Sequence, residues 1–278
     1  MKRSILSALV LAALAAPAAL MTTSAYADDA AAAPPPSPFT GNMTLASEYL
    51  YRGIAQTRGK PALQGGFDYA HSSGFYVGTW ASTISWIGDA TAGASAPLEI
   101  DLYGGFRGSF GGSDLGYDVG VLTYNYPGSG KPTGNAKPDT TEIYAALSWT
   151  WLSVKYSRST GSLFGWVTAS GDKTSGSGYL EVNGTWDLGN GWGLTAHGGH
   201  QTVKGLSDAS YSDYKIGVTK DVGFGTLGLA MSGTNAKDNC SGAAAATASD
   251  VYCFVNNNGT NAYSSGKTRA VLTFGKTF

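Results

Sequence analysis

What the chain lacks narrows it first. Past its N-terminal segment, no apolar run reaches the roughly 20 residues that a membrane helix requires, which excludes a helical membrane protein. An excess of one charge is missing: 18 Lys and Arg stand against 19 Asp and Glu, the formal net charge is -1, and there is no basic footprint for nucleic acid. Helical periodicity is missing too, and with it the strand-to-helix elbow on which a Gly-x-Ser-x-Gly nucleophile would stand. Cysteines number two and histidines three. Plentiful instead are 40 Gly, 16 Tyr and 7 Trp, with only 13% of residues charged. Such a chain is either a soluble β-protein or one that crosses a membrane as strands, because in hydrocarbon only helices and closed barrels satisfy their backbone hydrogen bonds.

The two ends decide between them. Lys2 and Arg3 precede an apolar run from Ile5 to about Leu20, broken by Pro17 and closing on Ala25-Tyr26-Ala27. That pattern predicts a secretory signal peptide over residues 1–27. Asp28-Asp29 then leads into an Ala/Pro stretch that cannot bury a core, so residues 28–40 are expected to form a flexible periplasmic leader and residues 41–278 the folded part. At the other end Thr268, Ala270, Leu272, Phe274, Lys276 and Phe278 share one face of a strand, and the terminal aromatic suits the girdle at a bilayer interface. This ending, with Phe274 and Phe278, resembles the sorting signature of bacterial outer-membrane β-barrels. The resemblance implies insertion by the barrel-assembly machinery of a Gram-negative cell. One departure is Lys276, at a position that is often aromatic; its stem can snorkel to the headgroups. Export also favours a disulfide between Cys240 and Cys253, which would clip one loop.

Alternation bounded by turn residues predicts about twelve strands, near residues 42–52, 62–71, 74–86, 97–110, 114–126, 140–149, 151–159, 178–188, 191–201, 210–220, 224–235 and 267–278. The fourth is the clearest: Leu98, Ile100, Leu102 and Phe106 lie on one face, Glu99, Asp101, Tyr103 and Arg107 on the other, as in a wall between lipid and water. Connections alternate as well. Ser72-Ser73, Gly111 to Ser113, Thr150, Gly189-Asn190 and Asp221 to Gly223 are tight links, and longer polar stretches intervene between them. The expected fold is therefore a single all-β domain, a transmembrane antiparallel up-and-down barrel with short periplasmic turns and long extracellular loops.

Leu45-Ala46-Ser47-Glu48-Tyr49-Leu50-Tyr51-Arg52-Gly53-Ile54-Ala55-Gln56, Lys60-Pro61-Ala62-Leu63-Gln64-Gly65-Gly66, Gly74-Phe75-Tyr76-Val77-Gly78-Thr79-Trp80-Ala81-Ser82, Glu99 to Gly105, Asp118 to Val121 and Asp213 to Val218 are six blocks that together resemble the TorF family of outer-membrane porins. The first is the most specific. The likeness spans nearly all of the folded part except the Ala/Asn-rich stretch from Ala236 to Asn261, and it implies an outer-membrane barrel with a pore function.

The faces so assigned put Glu48, Asp68, Glu99, Asp101, Asp118, Glu142, Glu181 and Asp213 in the lumen with Arg52, Arg107, Lys155, Lys215 and Arg269. Wall-to-wall salt bridges are the simplest use of such charges. A selectivity constriction is the functional use. Closure of the first strand on the last would bring Arg269 near Glu48 and Arg52, and Glu99, Asp101, Glu142 and Glu181 should lie at similar heights, giving at most weak cation preference. Tyr76, Trp80, Tyr103, Tyr124, Tyr144 and Tyr179 are expected to point inward. Tyr49, Tyr51, Tyr69, Trp86, Trp149, Trp186, Trp192 and Phe278 are expected on the lipid side. A barrel of about twelve strands should have a narrow or partly plugged lumen; whether the last loop folds inward is open. His197 should face the lumen and His200 the opposite side, so the pair suits neither metal binding nor catalysis, and His71 belongs to a turn. The expectation is a monomeric channel for passive diffusion of small ions or hydrophilic solutes, with no cofactor. The alternatives are a non-conducting barrel acting as an adhesin or structural protein through its loops, and a lipid-modifying enzyme.

Overall fold

A computed structural model describes residues 37–90, 95–130, 136–255 and 260–278. The predicted signal peptide and most of the predicted leader lie outside these. Twelve strands form one closed barrel: β1 (Phe39–Ala46), β2 (Ala62–Ala70), β3 (Phe75–Thr83), β4 (Leu98–Ser109), β5 (Leu115–Asn125), β6 (Thr140–Trp149), β7 (Leu152–Ser159), β8 (Gly178–Gly189), β9 (Trp192–Thr202), β10 (Tyr211–Asp221), β11 (Thr226–Thr234) and β12 (Arg269–Thr277). Each is antiparallel to its sequence neighbour. The seam closes with β1 on β12, in a register from Asn42 opposite Thr277 to Ala46 opposite Thr273. From β2 onward the predicted strands hold to within a few residues.

Alternation builds the wall. Met43, Leu45, Phe67, Val119, Ile143 and Leu229 are among the exposed apolar side chains on the outer face, where lipid would cover them. At the short-turn end the outer face carries Phe39, Trp149, Trp151, Trp192, Phe224 and Phe278, an aromatic girdle. The tight links are where expected, and Thr150 and Asn190 take left-handed φ values of 49° and 52° to make them. Inside, the abundance of glycine and tyrosine has one explanation. A Cβ at Gly78, Gly105 or Gly120 would stand within contact distance of Tyr103, Tyr76 or Tyr144, the tyrosine opposite it in register. The glycines make room for rings that cross the lumen face.

The first strand departs from expectation. It begins at Phe39 and leaves the sheet after Ala46, where Ser47 still trades hydrogen bonds with Leu272. The chain then folds into the barrel as a hairpin, Leu50–Tyr51 against Ile54–Ala55, with Arg52 and Gly53 in the turn at φ 47° and 76°. Both left-handed values make it the primed turn that suits a two-residue hairpin. Tyr49 is accordingly buried inside the barrel and Tyr51 half-buried there, neither in a lipid-side girdle. Trp86 is a second correction. The third strand ends at Thr83, and Trp86 opens a short helix, α1 (Trp86–Ala90), whose indole packs on Tyr126 and Phe164 in the mouth. Residues 235–255 and 260–268 of the last loop cover that mouth, with Tyr252 and Phe254 buried against Ile54 of the hairpin and Leu163. The Cys240–Cys253 disulfide is formed, with Cα atoms 5.5 Å apart.

Candidate functional site

The lumen has two unlike sides. From β2 round to β10 its inward positions carry rings and charges; on β11, β12 and β1 they are Gly228, Ala230, Thr273, Asn42, Thr44 and other small neutral residues, with no ionisable group below Arg269. Both sides keep inward positions of partial solvent exposure, Thr44, Gly228 and Thr273 on the small side and Asp68, Arg107, Glu181 and Lys215 on the charged side, whereas Tyr76, Asp118, Tyr144 and Lys155 are buried. The short side chains of the small side leave the lumen its width there.

The predicted site residues fall into four groups. In the first, the Tyr76 hydroxyl donates to Asp118 at 2.6 Å and also meets the Tyr144 hydroxyl, with Arg107 over the Tyr76 ring at 5.0 Å and Lys155 over the Tyr144 ring at 4.4 Å. In the second, His197 Nε2 stands 2.8 Å from Asp213, whose carboxylate also accepts from Tyr179 at 2.9 Å; His197 Nδ1 meets Asn183 at 2.7 Å and Glu181 at 3.8 Å. Lys155 lies opposite Glu181 and Lys215 opposite His197 in register. The third group closes the seam near the mouth: Arg269 approaches Glu48 at 3.7 Å, and Glu48 accepts from the Tyr263 hydroxyl and the Gly59 amide, each at 2.7 Å. Burial, and then that bond to Glu48, push the Tyr263 hydroxyl above its ordinary range. Asp68 stands apart from these and accepts from Tyr103 at 2.6 Å.

The fourth group is the hairpin tip. Arg52 donates to Glu142 through both terminal guanidinium nitrogens, at 3.1 and 2.7 Å, and to Gln201 at 2.7 Å. Tyr49 of the same hairpin donates to Glu99 at 2.8 Å, and the hydroxyl of Tyr51 lies 2.6 Å from that of Tyr124. Asp101 is 1% exposed, and its Oδ1 has no hydrogen-bond partner. Glu48 and Arg52 thus belong to the segment that enters the lumen, not to its wall. The even ring of acids also divides: Glu99, Asp101 and Glu142 surround the hairpin, while Glu181 joins His197. The hairpin is hidden in the sequence because Glu48 and Arg52 on one parity and Tyr49 and Tyr51 on the other keep the period of two, with Leu50 alone against it. The sole local signal was Arg52-Gly53, a weak relative of the Asn-Gly turn.

The six aromatics predicted to face inward do so, and the lipid-side positions hold for Trp149, Trp186, Trp192 and Phe278. His200 is exposed on the outer face beside Ser212, and His71 lies in its turn. Among the described residues no three His, Cys, Asp or Glu side chains converge as metal ligands would.

An apolar belt, an aromatic girdle and a polar lumen within a closed twelve-stranded wall define a membrane-spanning barrel of the outer-membrane porin fold. Residues 30–277 match the family described as "Bacterial protein of unknown function (Gcw_chp)", and the chain belongs to it. No curated protein matches the sequence. Among solved structures, the chain is similar to a KdgM porin, with TM-score 0.50 at 7% identity over 86% of this chain and 99% of that one. A NanC porin gives 0.45 at 8% identity over 85% and 97%. OprD of Pseudomonas aeruginosa gives 0.36 at 11% over 85% and 67%. At 7% identity the likeness to the KdgM porin is one of fold.

Proposed function

We propose that the protein is a porin-like channel of the Gram-negative outer membrane, passing small ions and hydrophilic solutes by passive diffusion. The observation that carries this reading is the lopsided lumen: a wall of Asp68, Arg107, Asp118, Lys155, Glu181, Asp213 and Lys215 faces a strip of small neutral residues that keeps room for water. Acids outnumber bases on the charged side, which favours weak cation preference. The likeness to TorF-family porins agrees, and its most specific block, Leu45 to Gln56, coincides with the hairpin. Both nitrogens of the His197 imidazole meet wall partners, Asn183 on one side and Tyr179 and Asp213 on the other, which fits a residue of the wall.

A loop-acting barrel that does not conduct is the second reading, favoured by the hairpin inside the lumen. Planar-bilayer recording of the refolded protein separates the two. Discrete conductance steps with a reversal potential slightly on the cation side are expected across a salt gradient; a folded, heat-modifiable protein that never conducts would favour the loop-acting barrel. The sorting role of Phe274 and Phe278 is part of the same proposal, and deleting Phe278 is expected to lower the amount of barrel assembled in the outer membrane.

A further inference from the structure

Arg52 meets the wall as a ligand meets a binding site. Glu142 on β6 offers both carboxylate oxygens to the guanidinium, and Gln201 on β9 offers its side-chain carbonyl. The ring of Tyr179 on β8 lies 4.1 Å from the guanidinium carbon. The acceptors are themselves held: Gln201 donates its amide to the Gly178 and Thr202 carbonyls, and Glu142 accepts from the Tyr124 hydroxyl at 3.3 Å. All three wall residues are 2% exposed or less. A planar fork partner, a neutral acceptor and an aromatic face are what recognise a guanidinium, and a compact ammonium would leave part of that set unused. Moreover, the backbone holds Arg52 at a φ of 47°, a conformation that a side-chain-bearing residue adopts at a cost. The turn sets this backbone conformation, and the contacts of the side chain help to offset its cost.

We propose that Glu142, Gln201 and Tyr179 form a recognition site for guanidinium-bearing solutes, which Arg52 occupies as a built-in surrogate while the hairpin is inside the barrel. The proposal rests on the channel reading for the identity of the ligand as a passing solute. Arrival of such a solute and residence of the hairpin then compete for one wall. Asp101, opposite Tyr124 in register with an unpartnered Oδ1, and Glu99, held by Tyr49, supply the next acids when the hairpin withdraws.

The test is chemical rescue. The refolded Arg52→Ala protein, its fold verified by heat modifiability, is titrated with methylguanidinium chloride in a calorimeter against sodium chloride. Saturable uptake is expected, weakened about tenfold or more when Glu142→Gln is added. A folded Arg52→Ala protein that takes up no methylguanidinium, or takes it up equally without the Glu142 carboxylate, overturns the proposal. If Arg52→Ala does not fold, hydrogen exchange of residues 50–56 in the unaltered protein decides. Methylguanidinium is expected to speed exchange beyond the same concentration of sodium chloride, and equal rates refute the competition. Conductance is recorded on the same preparations. Uptake without conductance leaves the site and removes the channel; conductance without uptake removes the site and leaves the channel.

Discussion

Arg52 and Glu142 are both nearly inaccessible, so their pairing is governed by the cost of an unpaired buried charge and not by the small value of surface ion pairs. Glu142→Gln leaves the guanidinium with a neutral partner in a low-dielectric interior. The expected effect is a loss of about 3–5 kcal/mol in the stability of the docked hairpin. Protease cleavage between residues 47 and 61 should rise accordingly while the barrel stays heat-modifiable; an unchanged cleavage rate would mean that the pair contributes little. Individual inward residues such as Glu99, Asp118 and Tyr179 were legible in the sequence because a strand's faces alternate strictly. Tyr49, Tyr51 and Trp86 were not. An aromatic that caps a lumen from a loop has the same local neighbours as one that sits in a girdle, and only the path of the backbone distinguishes them.

At the scale of elements, the strands from β2 to β12 were readable because period-two patterning and the alternation of tight and long links are independent and agreed. The first strand misled for a physical reason: a hairpin strand carries the period of a wall strand, so the pattern ran on through Arg52 although the sheet had ended at Ala46. The last loop makes its own prediction. The Cys240–Cys253 bridge closes a separation of 13 residues, worth about 3 kcal/mol in the chain-entropy view. Replacing both cysteines with serine is expected to raise proteolysis of the loop and leave the barrel's unfolding unchanged. Within that loop Asp250 accepts from the Thr247 hydroxyl at 2.7 Å and from the Asn239 amide group at 3.1 Å. These bonds, that from Thr247 foremost, hold its carboxyl below the usual carboxylate range. A depressed folded value means stability that is fully present above the unfolded value of about 4 and lost as pH falls through the folded one. The backbone amides of Thr247 and Asn239 donate to the same carboxylate at 2.9 and 3.3 Å, so their protection factors, measured by hydrogen exchange, should fall on acidification below that value and be level above it.

For the whole molecule, the hairpin and the last loop convert a barrel wide enough for water into one whose mouth is filled. Replacing residues 48–57 with a short Gly/Ser link is expected to give larger single-channel steps than the unaltered protein shows, with stronger cation preference because Glu99 and Glu142 lose Tyr49 and Arg52. Identical steps before and after would place the narrowest point elsewhere. The unequal lumen, small on the seam side and charged opposite, predicts that the added current runs beside β11, β12 and β1. Bulky substitutions at Ala230 or Thr44 should then reduce it more than equal bulk added at the buried Ser157.

The hairpin leaves the wall from β1, and β1 is one of the two strands that close the cylinder. Ser47, the residue where the chain turns inward, is still bonded to Leu272 of the other. Zipping the seam and threading the lumen are for that reason expected to be coupled in assembly. Closing the cylinder would then bring Arg52 to Glu142 and enclose both charges in the same step, so that neither faces lipid unpaired.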